Sequence, residues 1–142
     1  MPRLFVRFLT VLCVALCATA AVETAAQERQ KPAAAAAEQR IALIIGNSQY
    51  KDSPLPNPVN DARAIAKTLT AAGFKVTVKE NAGQKDMQLA MRDFGDALKA
   101  GGVGLFYYAG HGMQVKGRNF LIPVDAQIQR EDEVAYSGVD AG

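Results

Sequence analysis

The sequence is poor in the side chains that form disulfide frameworks and metal sites. Its 142 residues contain two cysteines, one histidine and no tryptophan, and both cysteines, Cys13 and Cys17, lie near the amino terminus. The later residues therefore cannot form a disulfide framework or a thiolate metal site. We expect no cofactor, and the sequence does not decide whether the protein depends on calcium. The same shortage removes the usual thiol nucleophile from everything after Cys17.

The charges of the chain are almost balanced. Sixteen Lys and Arg residues against fourteen Asp and Glu residues give a formal net charge of +2. No strongly basic surface is available to bind a polyanion, so we do not expect nucleic-acid binding. The hydrophobic fraction of 49% and the charged fraction of 21% are instead typical of one globular domain.

The amino-terminal segment has the features of an export signal. Arg3 and Arg7 precede an apolar run over residues 8–21, and the small residues at 18–20 suit a signal peptidase. The run is shorter than the roughly 20 apolar residues that comfortably span a bilayer. We therefore predict a signal peptide over residues 1–20 and a periplasmic or secreted mature protein without stable membrane association. An uncleaved membrane anchor is the alternative.

Residues 21–39 are rich in alanine and contain no bulky side chain after Val22. A helix without a large apolar stripe has no surface with which to pack, so we predict that this segment is a linker. The folded domain is then expected over residues 40–142.

The folded part alternates between strand patterns and helix patterns. One amphipathic helix begins at Asn57-Pro58 and ends at Gly73, and a second contains Met87 to Leu98 at helical spacing. Right-handed crossovers place the first strand between the other two, which predicts an α/β fold with a parallel sheet. The first and third strands are continuously apolar, as in covered sheets, whereas the second alternates, as near an edge. The strand patterns cover residues 41–45, 74–79 and 103–108.

The sequence after the third strand has a different pattern. Residues 113–123 are typical of a hairpin that turns near Lys116-Gly117, with residues 120–122 as its returning strand. No further strand is predicted over residues 131–142. A three-stranded sheet with an attached hairpin leaves one side of the third strand uncovered, so we expect the sheet to be incomplete in this chain.

The single histidine follows the third strand. In open α/β sheets, ligands bind beyond the carboxyl ends of the strands where the winding reverses, which here lies between the first and third strands. His111 is flanked by Gly110 and Gly112, which leave space around its ring and let backbone N–H groups approach a substrate oxygen. Imidazole readily accepts or donates a proton near neutrality. We interpret His111 as a catalytic acid or base, with a packing or surface role as the alternative.

Four linked motifs resemble those of the bacterial caspase-like cysteine peptidases of the metacaspase type. They occur in the expected order and spacing, and the resemblance extends from residue 40 to about residue 125. It implies a caspase-like three-layer sandwich with a mostly parallel sheet. The motifs are RIALIIGN at 40–47, NPVNDA at 57–62, YYAGHG at 107–112 and GRNFLIPVD at 117–125.

The resemblance also implies roles for individual residues. His111 would be the general acid or base beside a cysteine thiolate, and Gly112 would donate its backbone N–H to an oxyanion hole. Asp61 would line a pocket for the Arg or Lys before the scissile bond; its alternative is a helix-capping acid without substrate contact. Ala109 occupies a position in that pocket where some relatives carry a hydroxyl group.

Two polar loop residues are expected to support the fold rather than the chemistry. Asn47 follows the first strand, and Asp125 follows the hairpin. We predict that both are loop residues that support the fold.

The chain departs from the family pattern at the nucleophile. The caspase histidine precedes the nucleophilic cysteine by about 50 residues, whereas this chain ends at residue 142 and has no cysteine after Cys17. Without a thiol no acyl-enzyme can form, so we expect the chain to be inactive alone.

We interpret the chain as the amino-terminal part of an exported caspase-like cysteine endopeptidase with protein or peptide substrates. One alternative is a non-catalytic pseudoenzyme or peptide-binding module. Another is an unrelated nucleotide-binding domain, which is disfavoured because Gly46-Asn47-Ser48 lacks a glycine-rich phosphate loop.

Overall fold

The computed structural model describes residues 38–142 of the protein. The predicted signal peptide and nearly all of the predicted linker lie outside these residues. None of the helices in the described part is both long enough and apolar enough to cross a membrane. In chain order the elements are β1 (Arg40–Gly46), α1 (Pro58–Ala71), β2 (Lys75–Glu80), α2 (Gln84–Leu98), β3 (Val103–Ala109), β4 (Gly112–Val115), β5 (Arg118–Leu121), a 3-10 helix (Glu131–Glu133), α3 (Val134–Ser137) and β6 (Val139–Asp140).

The central sheet is parallel and has the strand order β2-β1-β3. β1 pairs in parallel with both of its neighbours. This is the order that two right-handed crossovers predict, and β2 is an edge strand, as its alternating sequence indicates. The predicted α/β fold with a mostly parallel sheet is confirmed.

β1 is buried on both faces because a helix covers each of them. Leu43 and Ile45 pack against Met87 of α2 on one face. The opposite face approaches α1 so closely that a Cβ added at Gly46 would lie 2.7 Å from the Cβ of Ala62. Since successive side chains of a strand point to opposite faces, the sheet lies between the two helices in a three-layer arrangement.

β3 is less buried than its apolar sequence predicts. Val103 and Phe106 are each 39% exposed, whereas every residue of β1 from Ile41 onward is buried. Among residues 38–142, β3 has a strand neighbour on one edge only. The prediction of a buried third strand is therefore wrong here, while the prediction that one side of this strand is uncovered is confirmed.

A second, small antiparallel sheet has the strand order β4-β5-β6. β4 and β5 form the predicted hairpin, and the turn residues Lys116 and Gly117 have φ values of 49° and 78°. Two positive φ values are typical of a type I′ turn, in which glycine avoids a steric cost. β6 pairs antiparallel with β5 and corrects the prediction that no strand lies after residue 131. Two residues are too few to produce a recognisable alternation.

The start of α1 is stabilised by a residue of the loop that follows β1. Asn57 occupies the N-cap position, as predicted, but its side chain makes no capping hydrogen bond. Instead, Ser48 Oγ accepts a hydrogen bond from the Val59 N–H over 3.3 Å. The loop after β1 is thereby tied to the first turn of α1, at the carboxyl edge of the sheet.

Candidate active site

The loops that follow β1 and β3 meet in one groove at the carboxyl edge of the sheet. The groove has a volume of about 600 Å³. It lies at the edge where the winding of the sheet reverses, which is where open α/β sheets bind ligands. The residues that line it include Tyr50, Asp52, Ser53, His111, Gly112 and Arg130.

The imidazole of His111 has contacts on two sides. Its Nε2 lies 2.8 Å from the backbone carbonyl oxygen of Ser53. Its ring centroid lies 4.4 Å from that of Tyr50, with the two rings tilted by 56°. Because a carbonyl oxygen only accepts hydrogen bonds, we assign the proton of the neutral ring to Nε2, which leaves the lone pair on Nδ1. Nδ1 is then the nitrogen that can accept a proton.

The backbone of His111 is held by two tyrosine hydroxyl groups. Tyr50 Oη accepts the His111 N–H over 2.9 Å, and Tyr108 Oη donates to the His111 carbonyl oxygen over 2.8 Å. The two hydroxyl oxygens lie 3.1 Å apart. Burial, followed by the hydrogen bond with Tyr50, raises the pKa of Tyr108 far above its ordinary value. The Tyr108 hydroxyl therefore stays protonated and remains a donor.

The glycine before His111 leaves room for these hydroxyl groups. A Cβ at Gly110 would lie 2.5 Å from both Tyr50 Oη and Tyr108 Oη. A Cβ at Gly112 would meet the Phe120 carbonyl oxygen at 3.5 Å, an ordinary van der Waals distance. Gly110 is thus required for a reason other than the predicted clearance around the imidazole.

The two predicted substrate-binding residues do not line the groove that contains His111. Asp61 is exposed in the first turn of α1, where its backbone N–H donates to the Asn57 carbonyl oxygen over 3.0 Å. Ala109 is half-buried at the end of β3, where its carbonyl oxygen accepts the Asn47 N–H over 2.8 Å. Their roles in binding substrate stay predictions, as does the oxyanion role of Gly112, which does line the groove.

Asn47 and Asp125 support the fold from loops, as predicted. The fully buried Asn47 accepts the Ala82 N–H at Oδ1 over 2.9 Å, and its Nδ2 lies 3.4 Å from the Ile122 carbonyl oxygen. Asp125 Oδ1 accepts the Gln84 N–H over 2.9 Å at the start of α2. Each side chain thus ties together segments that are distant in the sequence.

The sequence patterns do not predict several residues of the site. Ser53 contacts His111 through its backbone carbonyl group. Every residue has such a group, so the sequence does not identify this position. Tyr50 and Tyr108 lie within or beside the recognised motifs, but only the folded loops show that their hydroxyl groups meet. Within residues 38–142, no three His, Cys, Asp or Glu side chains are close enough to bind a metal ion.

Comparisons with known proteins place the chain in a family. Residues 39–137 match the peptidase family described as "Caspase domain". The human (Homo sapiens) protein "Mucosa-associated lymphoid tissue lymphoma translocation protein 1" is 37% identical over 91 residues, which cover 63% of this chain and 11% of that protein. Its mouse (Mus musculus) homolog has the same identity and the same coverage.

The chain spans about a tenth of the length of these two curated relatives. The family match, in contrast, covers most of the chain and includes the whole parallel sheet and His111. This chain therefore belongs to the caspase-domain family of peptidases.

Proposed function

We propose that the chain supplies the histidine of a caspase-like cysteine endopeptidase of the metacaspase type, acting through a Cys/His dyad on protein or peptide substrates. The observation that carries the proposal is the position of His111. Its imidazole lies in an open groove at the carboxyl edge of the sheet. Nε2 is hydrogen-bonded to the Ser53 carbonyl oxygen, which leaves the lone pair on Nδ1. Membership of the caspase-domain family supports the class of reaction.

In the proposed reaction, Nδ1 of His111 takes the proton of a cysteine thiol, and the thiolate attacks the carbonyl carbon of the scissile amide. The Ser53 carbonyl oxygen accepts a hydrogen bond from the Nε2–H group both before and after this transfer, so the ring need not turn. The imidazolium then donates its proton to the leaving amine nitrogen, and water hydrolyses the thioester. The Gly112 N–H is proposed to stabilise the oxyanion.

The thiol has to come from outside the residues that form this groove. The sequence has no cysteine after Cys17, and both cysteines lie in the segment predicted to be removed. We propose that a further polypeptide segment provides the nucleophile and that the 142 residues alone do not cleave peptides. A groove without a thiol also supports a second candidate function, that of a peptide-binding module.

The test compares the 142-residue chain with the complete product of the reading frame that encodes it. Both receive fluorogenic peptides with Arg or Lys before the cleavable bond and a peptide probe that alkylates thiols. We expect the complete product to cleave these peptides and to be labelled at one cysteine. The 142-residue chain should do neither, but an uncleavable peptide should shift the NMR signal of its single histidine.

A complete product that has no cysteine after His111, or that has one and is neither labelled nor active, would overturn the endopeptidase proposal. A peptide-induced shift of the His111 signal in that case would support the binding module. Cleavage that survives replacement of the labelled cysteine by alanine would also contradict the proposed dyad.

The proposed preference for basic residues is tested at Asp61. We expect Asp61→Asn, which removes the charge and keeps the size, to lower kcat/KM for an Arg peptide by about 10- to 100-fold relative to a matched Gln peptide. The reason is the loss of a carboxylate–guanidinium pair. Rates of the complete product on both peptides provide the measurement.

Asp52→Asn is the matched control for Asp61→Asn. Asp52 is also an exposed acid, and unlike Asp61 it lines the groove of His111. Equal losses on both peptides in Asp61→Asn would indicate a structural role for Asp61. A selective loss in Asp52→Asn alone would assign the recognition of basic residues to Asp52 and refute the role proposed for Asp61.

A further inference from the structure

Tyr50 contacts His111 through two different parts of its side chain. Its Oη accepts the His111 N–H over 2.9 Å, and its ring packs against the imidazole at 4.4 Å between centroids. Tyr50 is 8% exposed, although it lies in the loop after β1. Tyr50 can therefore restrict the backbone conformation of His111 and the orientation of its imidazole ring.

The direction of the hydrogen bond between Tyr50 and His111 is fixed by the His111 N–H, which can only donate. A phenol has one proton to donate and lone pairs with which to accept. Tyr50 Oη lies 3.0 Å from the Ile122 carbonyl oxygen, and Tyr108 Oη lies 2.9 Å from the same oxygen and 2.8 Å from the His111 carbonyl oxygen. Whichever of these oxygens receives each phenol proton, Tyr50 Oη keeps a lone pair for the His111 N–H.

Among residues 38–142, the His111 N–H has one acceptor, Tyr50 Oη, whereas the His111 carbonyl oxygen also accepts the Ile122 N–H over 2.9 Å. Gly110 and Gly112 have no side chains with which to hold the peptide groups on either side of the histidine. The Tyr50 hydroxyl is therefore the restraint on the amide side of His111, and the backbone bond to Ile122 does not replace it.

Tyr50 also connects His111 to the residue that orients its ring. Ser53, whose carbonyl oxygen lies 2.8 Å from His111 Nε2, follows Tyr50 by three positions in the same loop. The start of this loop is fixed by Asn81 Oδ1, which accepts the N–H groups of Ser48 and Gln49 over 2.9 and 3.0 Å. The Tyr50 hydroxyl thus holds the far part of the loop at a set position relative to His111.

We propose that Tyr50 is a positioning residue whose hydroxyl group holds His111 in the orientation required for proton transfer. The catalytic consequence rests on the proposed function, whereas the effect on the geometry of His111 does not. A role in packing alone would require only the ring, which lies in a cluster with Val115, Phe120, Ile122 and Val134. Tyr50→Phe separates the two roles because it keeps the ring and removes only Oη.

The test is NMR spectroscopy of the isotope-labelled 142-residue chain, in which His111 is the single histidine. In Tyr50→Phe we expect the His111 amide to exchange its hydrogen about ten-fold faster, since its acceptor is lost. The chemical shifts of the imidazole protons should move towards those of free histidine, because the imidazole is no longer held against the aromatic ring of residue 50. The exchange rate of the Leu43 amide, in the core of β1, should change by less than about two-fold and reports on the fold.

Tyr136→Phe is the matched control, because it removes a hydroxyl group from a ring that is 82% exposed. It should change neither His111 amide exchange nor the imidazole shifts. Tyr108→Phe is a second variant, which leaves the acceptor of the His111 N–H in place. It should change His111 amide exchange less than Tyr50→Phe does, and the reverse order would overturn the assignment to Tyr50.

The positioning role and the proposed function can fail separately. Unchanged amide exchange and imidazole shifts in Tyr50→Phe would overturn the positioning role, whatever the peptidase assays give. If the complete product is active, Tyr50→Phe should lower its kcat by about ten-fold and leave KM within about two-fold, because substrate contacts are retained. Lack of cleavage by the complete product, together with altered His111 signals in Tyr50→Phe, would overturn the proposed function and leave the positioning role standing.

Discussion

Replacement of His111 by alanine is expected, under the proposed function, to lower kcat/KM of the complete product by about 10³-fold, the typical contribution of a positioned acid–base group. The variant loses Nδ1 as the acceptor of the thiol proton and loses the imidazolium that protonates the leaving amine. Both steps use the same ring, so the losses should occur together in kcat. The measurement is the steady-state rate of peptide cleavage near neutral pH.

The same variant should leave the fold intact. The His111 side chain is half-buried at the groove, and its backbone hydrogen bonds to Tyr50 and Tyr108 do not depend on the imidazole. We expect its free energy of unfolding to fall by less than about 1 kcal/mol, as for changes outside the core. Urea unfolding of the 142-residue chain provides this control, and a larger loss would mean that His111 is a packing residue.

Added imidazole provides a sharper test of the role of His111. The alanine variant leaves a space beside the Ser53 carbonyl oxygen, and the groove is open to small molecules. Free imidazole should therefore restore part of the activity of His111→Ala and should not affect the unchanged protein. More than a tenth of the original kcat/KM in His111→Ala without imidazole would refute the proposed role in catalysis.

The order of the central strands could be predicted because hydrophobic periodicity and crossover handedness are local rules. The apolar run of β1 identified the central strand, and the alternation of β2 identified an edge. The same rule was wrong about the burial of β3. An apolar run shows that a strand has two faces suited to burial, but it does not show which neighbours are present to cover them.

The position of the candidate site could be predicted from the winding of the sheet, but its hydrogen bonds could not. His111 was identified by its place after β3, since the carboxyl ends of parallel strands meet at one edge. Its partners lie 58 and 61 positions earlier in the chain, in the loop that carries Ser53 and Tyr50. Such pairs depend on the path of that loop, and one of them involves a backbone carbonyl group that any residue could supply.

Replacement of Asn47 by alanine is expected to lower the free energy of unfolding by about 3 kcal/mol. The Asn47 side chain is fully buried, and its Oδ1 accepts the Ala82 N–H over 2.9 Å. Alanine leaves that N–H buried without an acceptor and opens a small cavity beside Met87, whose sulfur lies 3.5 Å from Nδ2. Urea unfolding of the 142-residue chain measures the difference.

Asn119→Ala is the matched control for Asn47→Ala. Asn119 is exposed in β5, and its side chain accepts one hydrogen bond from Gln114 over 3.2 Å. Its replacement should change the free energy of unfolding by no more than about 0.5 kcal/mol. Similar losses of unfolding free energy in the two variants would show that the buried amide of Asn47 stabilises the fold no more than an exposed amide does.

Asn47→Asp tests whether the Nδ2 group of the amide contributes to stability as a hydrogen-bond donor, because aspartate has the same shape without that donor. The variant keeps the acceptor for the Ala82 N–H but places a carboxylate oxygen where Nδ2 lies 3.3 and 3.4 Å from the carbonyl oxygens of Ala82 and Ile122. Burial and these carbonyl groups favour the neutral acid, so its pKa in the folded state should rise above the ordinary value of about 3.9.

A raised pKa in the folded state has a definite consequence for the pH dependence of stability. The unfolded chain of Asn47→Asp loses its proton near pH 4, whereas the folded chain keeps it to higher pH, so the variant becomes less stable as the pH rises. Its deficit relative to the unchanged protein should be smallest near pH 4 and should widen towards pH 7. The deficit of Asn47→Ala should not vary with pH in this range, because no titrating group is introduced. A deficit of Asn47→Asp that is equally independent of pH would mean that the contacts of Nδ2 with the two carbonyl oxygens contribute nothing measurable to the fold.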